Sequence, residues 1–262
     1  MQKLVFIFFL LSCIACATGQ KISYDSWKLE WEENFSVPIL DTTIWSKIPR
    51  GSVAWNNKMT DSEACYEFLD STFVLKGIFN DICPDDTAQY LTGGIWTKNK
   101  KFFSPGRLEI RAKLSGAVGA WPAIWLGVVN KTKPWPWYGE IDIMERFHKK
   151  TIVYQTLHSY YITTLHQKEP INSVKVPFNE DSFNVYGVDI LKDKVLFHVN
   201  GEETMVYPRL QEFDDQGQFP FFQDWYLIID MQLGGKDVGK IKREDLPAKM
   251  EIDWVRYYKK IE

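Results

Sequence analysis

Polar and apolar residues alternate with a period of two along much of this chain. Arg107-Leu-Glu-Ile-Arg-Ala-Lys-Leu114 does so without a break, as a half-buried strand does. Residues 151–158, Thr-Ile-Val-Tyr-Gln-Thr-Leu-His, form a second β-rich run. Val195 to Val199 and Glu202 to Tyr207 flank Asn200-Gly201, the signal of a tight hairpin. Tyr226 to Met231 and Met250 to Tyr258 complete the clear strands, and no helical periodicity of any length appears. Many short strands separated by turn residues predict an all-β chain, folded as a sandwich or a barrel. The chain is too long for a small barrel. A sandwich of two antiparallel sheets, one of them curved around a concave cleft, is therefore expected. Loops rich in Trp and Pro, at 119–125 and 133–138, are expected to wall that cleft. No repeat, low-complexity tract or linker interrupts residues 21–262, which read as one domain.

Between those loops lies Gly139-Glu-Ile-Asp-Ile-Met-Glu145. Successive strand residues point to opposite faces. Glu140 and Asp142 thus share one face, while Ile141 and Ile143 point into the core. Strict alternation would turn Glu145 to the wrong side. A β-bulge near Met144 brings it back. Like charges gathered on one face raise the cost of ionising one another. Such a cluster is explained by a metal, or by proton and nucleophile chemistry. Glycosidic cleavage needs an acid on the leaving oxygen and a carboxylate at the anomeric carbon, about 5–5.5 Å apart in a retaining enzyme. The Glu140 and Glu145 backbones lie roughly 13 Å apart at about 3.3 Å per residue. Their long side chains can close most of that gap, with Asp142 between them. His158 has the strand parity to meet the cluster and would partner Asp142 or the acid; a His satisfied on a sheet face is the alternative. Spacing alone does not decide which glutamate does which job. A solvated strand face and a calcium site remain open as other readings of the three acids.

Composition narrows the setting. The 262 residues carry a net charge of −3 and include 11 Trp, 12 Tyr and 17 Phe. Near-neutral charge gives no basic field for nucleic acid. The aromatic surplus suits a carbohydrate cleft, because flat rings stack on sugar C–H faces. Residues 1–20 read as an export signal: Lys3, an apolar run from Leu4 to Leu11, then small residues. The run is too short to span a bilayer. Leu10-Leu-Ser-Cys13 also resembles a bacterial lipoprotein box, which would place a lipid anchor on Cys13; cleavage near Ala17 or Gly19 is the alternative. Either way the mature chain is expected outside the cytoplasm, in the periplasm, at the cell surface or secreted. Cys65 and Cys83 then remain, and whether they pair is open.

The chain resembles glycoside hydrolase family 16, whose bulged signature is Glu-x-Asp-x-x-Glu. The likeness extends to Trp31-Glu-Glu-Asn-Phe35, Tyr90 to Thr97, Phe103 to Lys113, Trp121-Pro-Ala-Ile-Trp-Leu126 and Ile252 to Tyr257. It implies a jelly-roll β-sandwich and endo-acting, retaining hydrolysis of β-linked polysaccharides, with no catalytic cofactor. It makes Glu140 the nucleophile, Asp142 its helper and Glu145 the general acid/base. It also implies a structural calcium, for which Asp253 is the expected side-chain ligand. Asn56, Trp96, Trp121, Trp125, His158, Trp225 and Gln232 are the expected sugar contacts.

Glucanases of the family continue the signature with an aromatic, a short residue and Gly. Here Arg146-Phe-His148 follows, then Val153 to Tyr161, which looks more like the endo-β-galactosidases of mucin O-glycans, poly-N-acetyllactosamine and keratan. An endo-β-1,4-galactosidase, acting as a monomer, is the preferred reading. A β-1,3- or mixed-linkage glucanase is second. A lectin-like binder and a transglycosylase of the same fold are the other classes.

Overall fold

The alternation read from the sequence becomes two antiparallel sheets in the computed structural model, which describes residues 20–261. The expected export signal, with Cys13, lies outside the described residues except for Gln20. In chain order the strands are β1 (Trp27–Glu33), β2 (Ser46–Lys47), β3 (Tyr66–Leu69), β4 (Thr72–Phe79) and β5 (Tyr90–Thr92). Next come β6 (Gly94–Trp96), β7 (Arg107–Leu114), β8 (Ala120–Val128), β9 (Glu140–Arg146), β10 (Ile152–His158) and β11 (Ser173–Pro177). The last are β12 (Asn184–Ile190), β13 (Lys194–Val199), β14 (Glu202–Pro208), β15 (Trp225–Leu233) and β16 (Ala248–Lys260). One sheet runs β14-β13-β12-β7-β16-β4-β3, with β1 also on β16 and β5 also on β4. The other runs β11-β10-β9-β8-β15-β6-β2. This is the expected jelly-roll sandwich, and no described helix is long and apolar enough to cross a membrane.

The core fills the space between the sheets. In β15 every second residue, Trp225, Leu227, Ile229, Met231 and Leu233, belongs to it; in β9 Ile141, Ile143 and Met144 do. Fully burying an aliphatic or aromatic side chain of this kind stabilises the fold by about 1.5–3 kcal/mol relative to exposure. The opposite faces of β8, β9, β10 and β15 turn away from this core and form the sheet's open face. The predicted hairpin is present, with Asn200 and Gly201 both at positive φ, 52° and 78°, as a two-residue turn of this hand requires.

β7 departs from its sequence reading. A half-buried strand should leave its polar face wet, yet Arg107 and Glu109 are buried. The N-terminal segment covers them. Tyr24 donates to Glu109 at 2.6 Å, and the Arg107 guanidinium lies against the Tyr24 and Trp27 rings. Arg107 also makes two bonds to Asp189, at 2.7 and 2.8 Å. Cys65 and Cys83 are both free thiols, and burial pushes Cys65 up to about 12.

Candidate active site

The bulge sits where the third acid needs it. Ile124 of β8 faces Met144, but the next residue, Trp125, faces Asp142, so Ile143 is the inserted residue. On the other flank Tyr154 faces Glu145 and Thr156 faces Asp142, leaving Gln155 alone opposite Ile143 and Met144. Both apolar residues turn into the core. Gln155 Nε2 donates to the Ile143 carbonyl at 3.0 Å, satisfying a group the bulge removes from the ladder. Glu140, Asp142 and Glu145 consequently share the open face.

Their neighbours follow from register. His158 meets the cluster, as its strand parity allowed: it lies opposite Glu140, and its Nε2 is 3.2 Å from Asp142 Oδ2. Trp121 Nε1 donates to Glu145 at 2.9 Å. The Trp121 ring packs on Phe147 at 5.3 Å, and Phe147 packs edge-on to Tyr154 at 5.0 Å. Trp125 lies beside Asp142, meeting Trp55 edge-on at 5.1 Å. Trp96, opposite Ile228 on the same face, sits edge-on to Tyr226 at 6.3 Å with the Lys98 ammonium over it. Tyr226 occupies space over Gly127 that a Cβ would take. Trp135, 46% exposed, stands 6.2 Å from the His158 ring.

Burial and a shared neighbour raise both glutamates. Burial, then Asp142, pushes Glu140 up to about 7, partly offset by His158 and the Trp135 indole. Burial, then Asp142, holds Glu145 well above the ordinary carboxylate range, with Trp121 and His158 acting the other way. Asp142 is also raised, by burial first and by Asp230 second. His158, opposite Glu140 in register, acts on both glutamates in the same direction. Glu140, Asp142 and His158 offer donor atoms within 4.8 Å of one another. Their raised carboxyls and the contact of His158 with Asp142 suit proton chemistry on that spot.

The remaining candidates divide. Gln232 lies on the open face opposite Trp121, donates to Asp230 at 3.0 Å, and keeps a buried Oε1 without a partner. Asn56 stands next to Trp55, and its Oδ1 is likewise buried and unpartnered. Trp225 is not a sugar contact. It is fully buried, shares parity with the core residues of β15, and donates to the Phe221 carbonyl at 3.0 Å. Asp253 sits at a register shift of β16, where its carboxylate is ion-paired with Arg111. A guanidinium occupies the place a cation would take, so these residues do not fit the expected calcium. Sequence reading missed Asp230, Trp55, Tyr226 and Phe147 as members of the site. Asp230 has the same parity as Gln232 on one strand, and that signal was available.

The arrangement has counterparts. A family described as "XgeA-like, catalytic GH16 domain" matches residues 80–186. The keratan-sulfate endo-1,4-beta-galactosidase of Sphingobacterium multivorum is 32% identical over 91% of this chain, which spans 56% of that relative's length. The laminarinase of Flavobacterium sp. UMI-01 superposes with a TM-score of 0.76 at 29% identity, covering 88% of this chain and 100% of that one. A structure described as "Prominent members of the human gut microbiota express endo-acting O-glycanases to initiate mucin breakdown" superposes with a TM-score of 0.75 at 27% identity, covering 90% and 100%. Sequence and fold point the same way, and the chain belongs to glycoside hydrolase family 16.

Proposed function

We propose that this protein is an exported endo-glycosidase that cleaves internal β-linkages of a glycan with retention of configuration. The observation that carries the reading is the bulge at Ile143, which sets all three acids on a face floored by indole rings. Glu145, held protonated by burial, protonates the leaving oxygen. Glu140, whose charged form His158 favours, attacks the anomeric carbon and forms a glycosyl ester. Glu145, now a carboxylate, takes a proton from water as that water opens the ester, and both groups return to their starting states. Asp142 lies between the two and raises both, so that each glutamate's proton affinity depends on the other's state.

For substrate we favour a galactose-containing host-type glycan: mucin O-glycans, poly-N-acetyllactosamine or keratan, cut at a β-1,4-galactosidic bond. The 32% identical relative supports this. So does Phe147, which follows the signature where glucanases of the family carry a short residue and joins Trp121 and Tyr154 beside Glu145. A β-1,3- or mixed-linkage glucanase is the second reading, favoured by the laminarinase fold match. Digests of keratan, mucin O-glycans, laminarin and barley β-glucan, with products read by mass, decide between them. Oligosaccharides from keratan or mucin support the galactosidase. Release from laminarin alone overturns it, and saturable binding without new reducing ends favours a lectin.

A further inference from the structure

Beyond Glu145 the open face ends in positive charge. Register lays three residues in one row across the sheet: Glu145 of β9 faces Tyr154 of β10, and Tyr154 faces Lys175 of β11. Directly opposed residues share a face, so Lys175 stands on the face that carries the acids. Two strand spacings, roughly 10 Å, separate its backbone from that of Glu145. Lys150, in the turn between β9 and β10, reaches the same place from another element. Its ammonium lies 5.9 Å from the centre of the Tyr154 ring, and that of Lys175 lies 5.6 Å from it. Both lysines are exposed.

Neither charge is spent inside the protein. Among the described residues no carboxylate ion-pairs with Lys150 or Lys175. The adjacent cations are committed: Lys149 pairs with Asp245 at 2.7 Å, and buried Arg146 pairs with Glu180. An edge-strand lysine often serves only to block pairing with another chain. That accounts for Lys175 alone, but not for Lys150, which comes from a turn and converges on the same ring. The ring itself is joined to the acid. Tyr154 packs against Phe147, Phe147 against Trp121, and Trp121 donates to Glu145. One row over, the Thr156 and Ser173 hydroxyls meet at 3.0 Å, so the floor between Asp142 and the β11 edge is neutral there. A glycan that runs from the acids toward β11 passes an aromatic ring flanked by two free ammoniums. A neutral sugar leaves those charges unmatched, whereas an anionic one gains charge-assisted hydrogen bonds.

We propose that Lys150 and Lys175 are specificity-determining residues, which bind an anionic substituent, a sulfate ester or a carboxylate, on the substrate sugar that lies over Tyr154. Glu145 protonates the leaving oxygen, so the sugar on its side belongs to the leaving part of the glycan. The inference rests on the galactose-glycan reading and adds to it the charge of the substrate and the residues that select for it. Its test separates the two.

The test compares each anionic glycan with its neutral counterpart: keratan sulfate with chemically desulfated keratan, and sialylated mucin O-glycans with the same glycans after sialidase. Wild-type kcat/KM should be higher for an anionic form than for its counterpart, and the pair that shows the preference tells a sulfate from a carboxylate. The preference should shrink as salt is added, because exposed charges are screened. In the double variant Lys150→Gln/Lys175→Gln it should fall by about five- to tenfold, mainly through KM. Lys149→Gln, next to Lys150 but ion-paired, should keep the wild-type preference. Equal rates on both members of each pair overturn the proposal. So does a preference that the double variant retains, or one that Lys149→Gln loses to the same extent. A double variant slowed by one factor on charged and neutral chains alike indicates a structural role and overturns it as well. Calorimetry gives an arm that needs no turnover. Glu140→Gln protein should bind an anionic chain more tightly than its neutral counterpart, and the difference should vanish when both lysines are also replaced. Equal affinity for both chains before that replacement overturns the proposal. If wild-type protein releases nothing from any β-glycan, the hydrolase reading fails, while calorimetry still decides the role of the two lysines.

Discussion

Single side chains carry the proposed chemistry, and two substitutions separate their roles. Glu140→Gln keeps size and removes the nucleophile, so the glycosyl ester cannot form. Turnover should fall by roughly a thousandfold or more, with far-ultraviolet circular dichroism unchanged. A rate within tenfold of wild type would remove Glu140 from the mechanism. Glu145→Ala should slow both ester formation and its hydrolysis. Azide, which needs no general base, should restore part of the second step on a substrate with a good leaving group and yield a β-glycosyl azide. No azide product, with wild-type turnover retained, would sink the acid/base assignment. That the three acids share a face was legible because strand parity, with one bulge, assigns a side chain to one face of a sheet. His158 met the acid cluster on that argument. The same parity condemns Trp225, which aligns with Leu227 and Ile229 on the core side, although its indole suggested sugar. Asp230 was overlooked because a lone Asp on an apolar strand carries no motif. Its place in the site comes from Trp125, a partner distant in sequence.

At the level of elements, the acid strand depends on a residue that touches no sugar. Gln155 is buried on β10, donates to the Ile143 carbonyl at 3.0 Å, and accepts from Thr204 of β14. It ties the bulge to the edge of the facing sheet. Gln155→Leu fills similar space but leaves the bulge carbonyl unpartnered, which costs about 1–3 kcal/mol. Urea unfolding should show a lower midpoint at unchanged slope. kcat should fall with it, because Glu145 keeps its place only while Ile143 is held out of the ladder. An unchanged midpoint would mean that core packing of Ile143 and Met144 is enough to hold the bulge. Elements were otherwise read well where period two is clean, as in the 195–207 hairpin and β9. The buried polar face of β7 was not legible. Its cover is Tyr24 and Trp27, and a chain segment crossing a sheet leaves no mark on the strand it crosses.

Across the whole molecule, the raised carboxyls tie stability to pH in a direction opposite to activity. Glu140, Asp142, Glu145 and Asp230 on one sheet, and Glu109 and Asp189 on the other, all hold their protons more tightly folded than unfolded, with burial the largest cause in each. An unfolded carboxyl ionises near pH 4. Between there and the raised folded values the native state binds more protons, so stability falls as pH rises. Below that range the balance reverses. Asp41, Asp86, Asp214 and Asp245 are lowered by hydrogen bonds to Thr43, Arg50, Arg209 and Lys149, and their contribution is lost as pH falls through their folded values. The melting temperature should therefore peak at weakly acidic pH, about 4–5, and decline steadily toward about pH 8. Turnover should instead rise as Glu140 ionises, at about 7, and fall where Glu145 loses its proton. Calorimetry at fixed ionic strength measures the first curve and initial rates the second. In Glu140→Gln/Asp142→Asn the decline between about pH 5 and about pH 8 should flatten, because two of the raised groups no longer titrate. A wild-type melting temperature that climbs over that interval would show that the acids are charged in the folded protein. The assignment of Glu145 as the proton donor would then lose its physical cause.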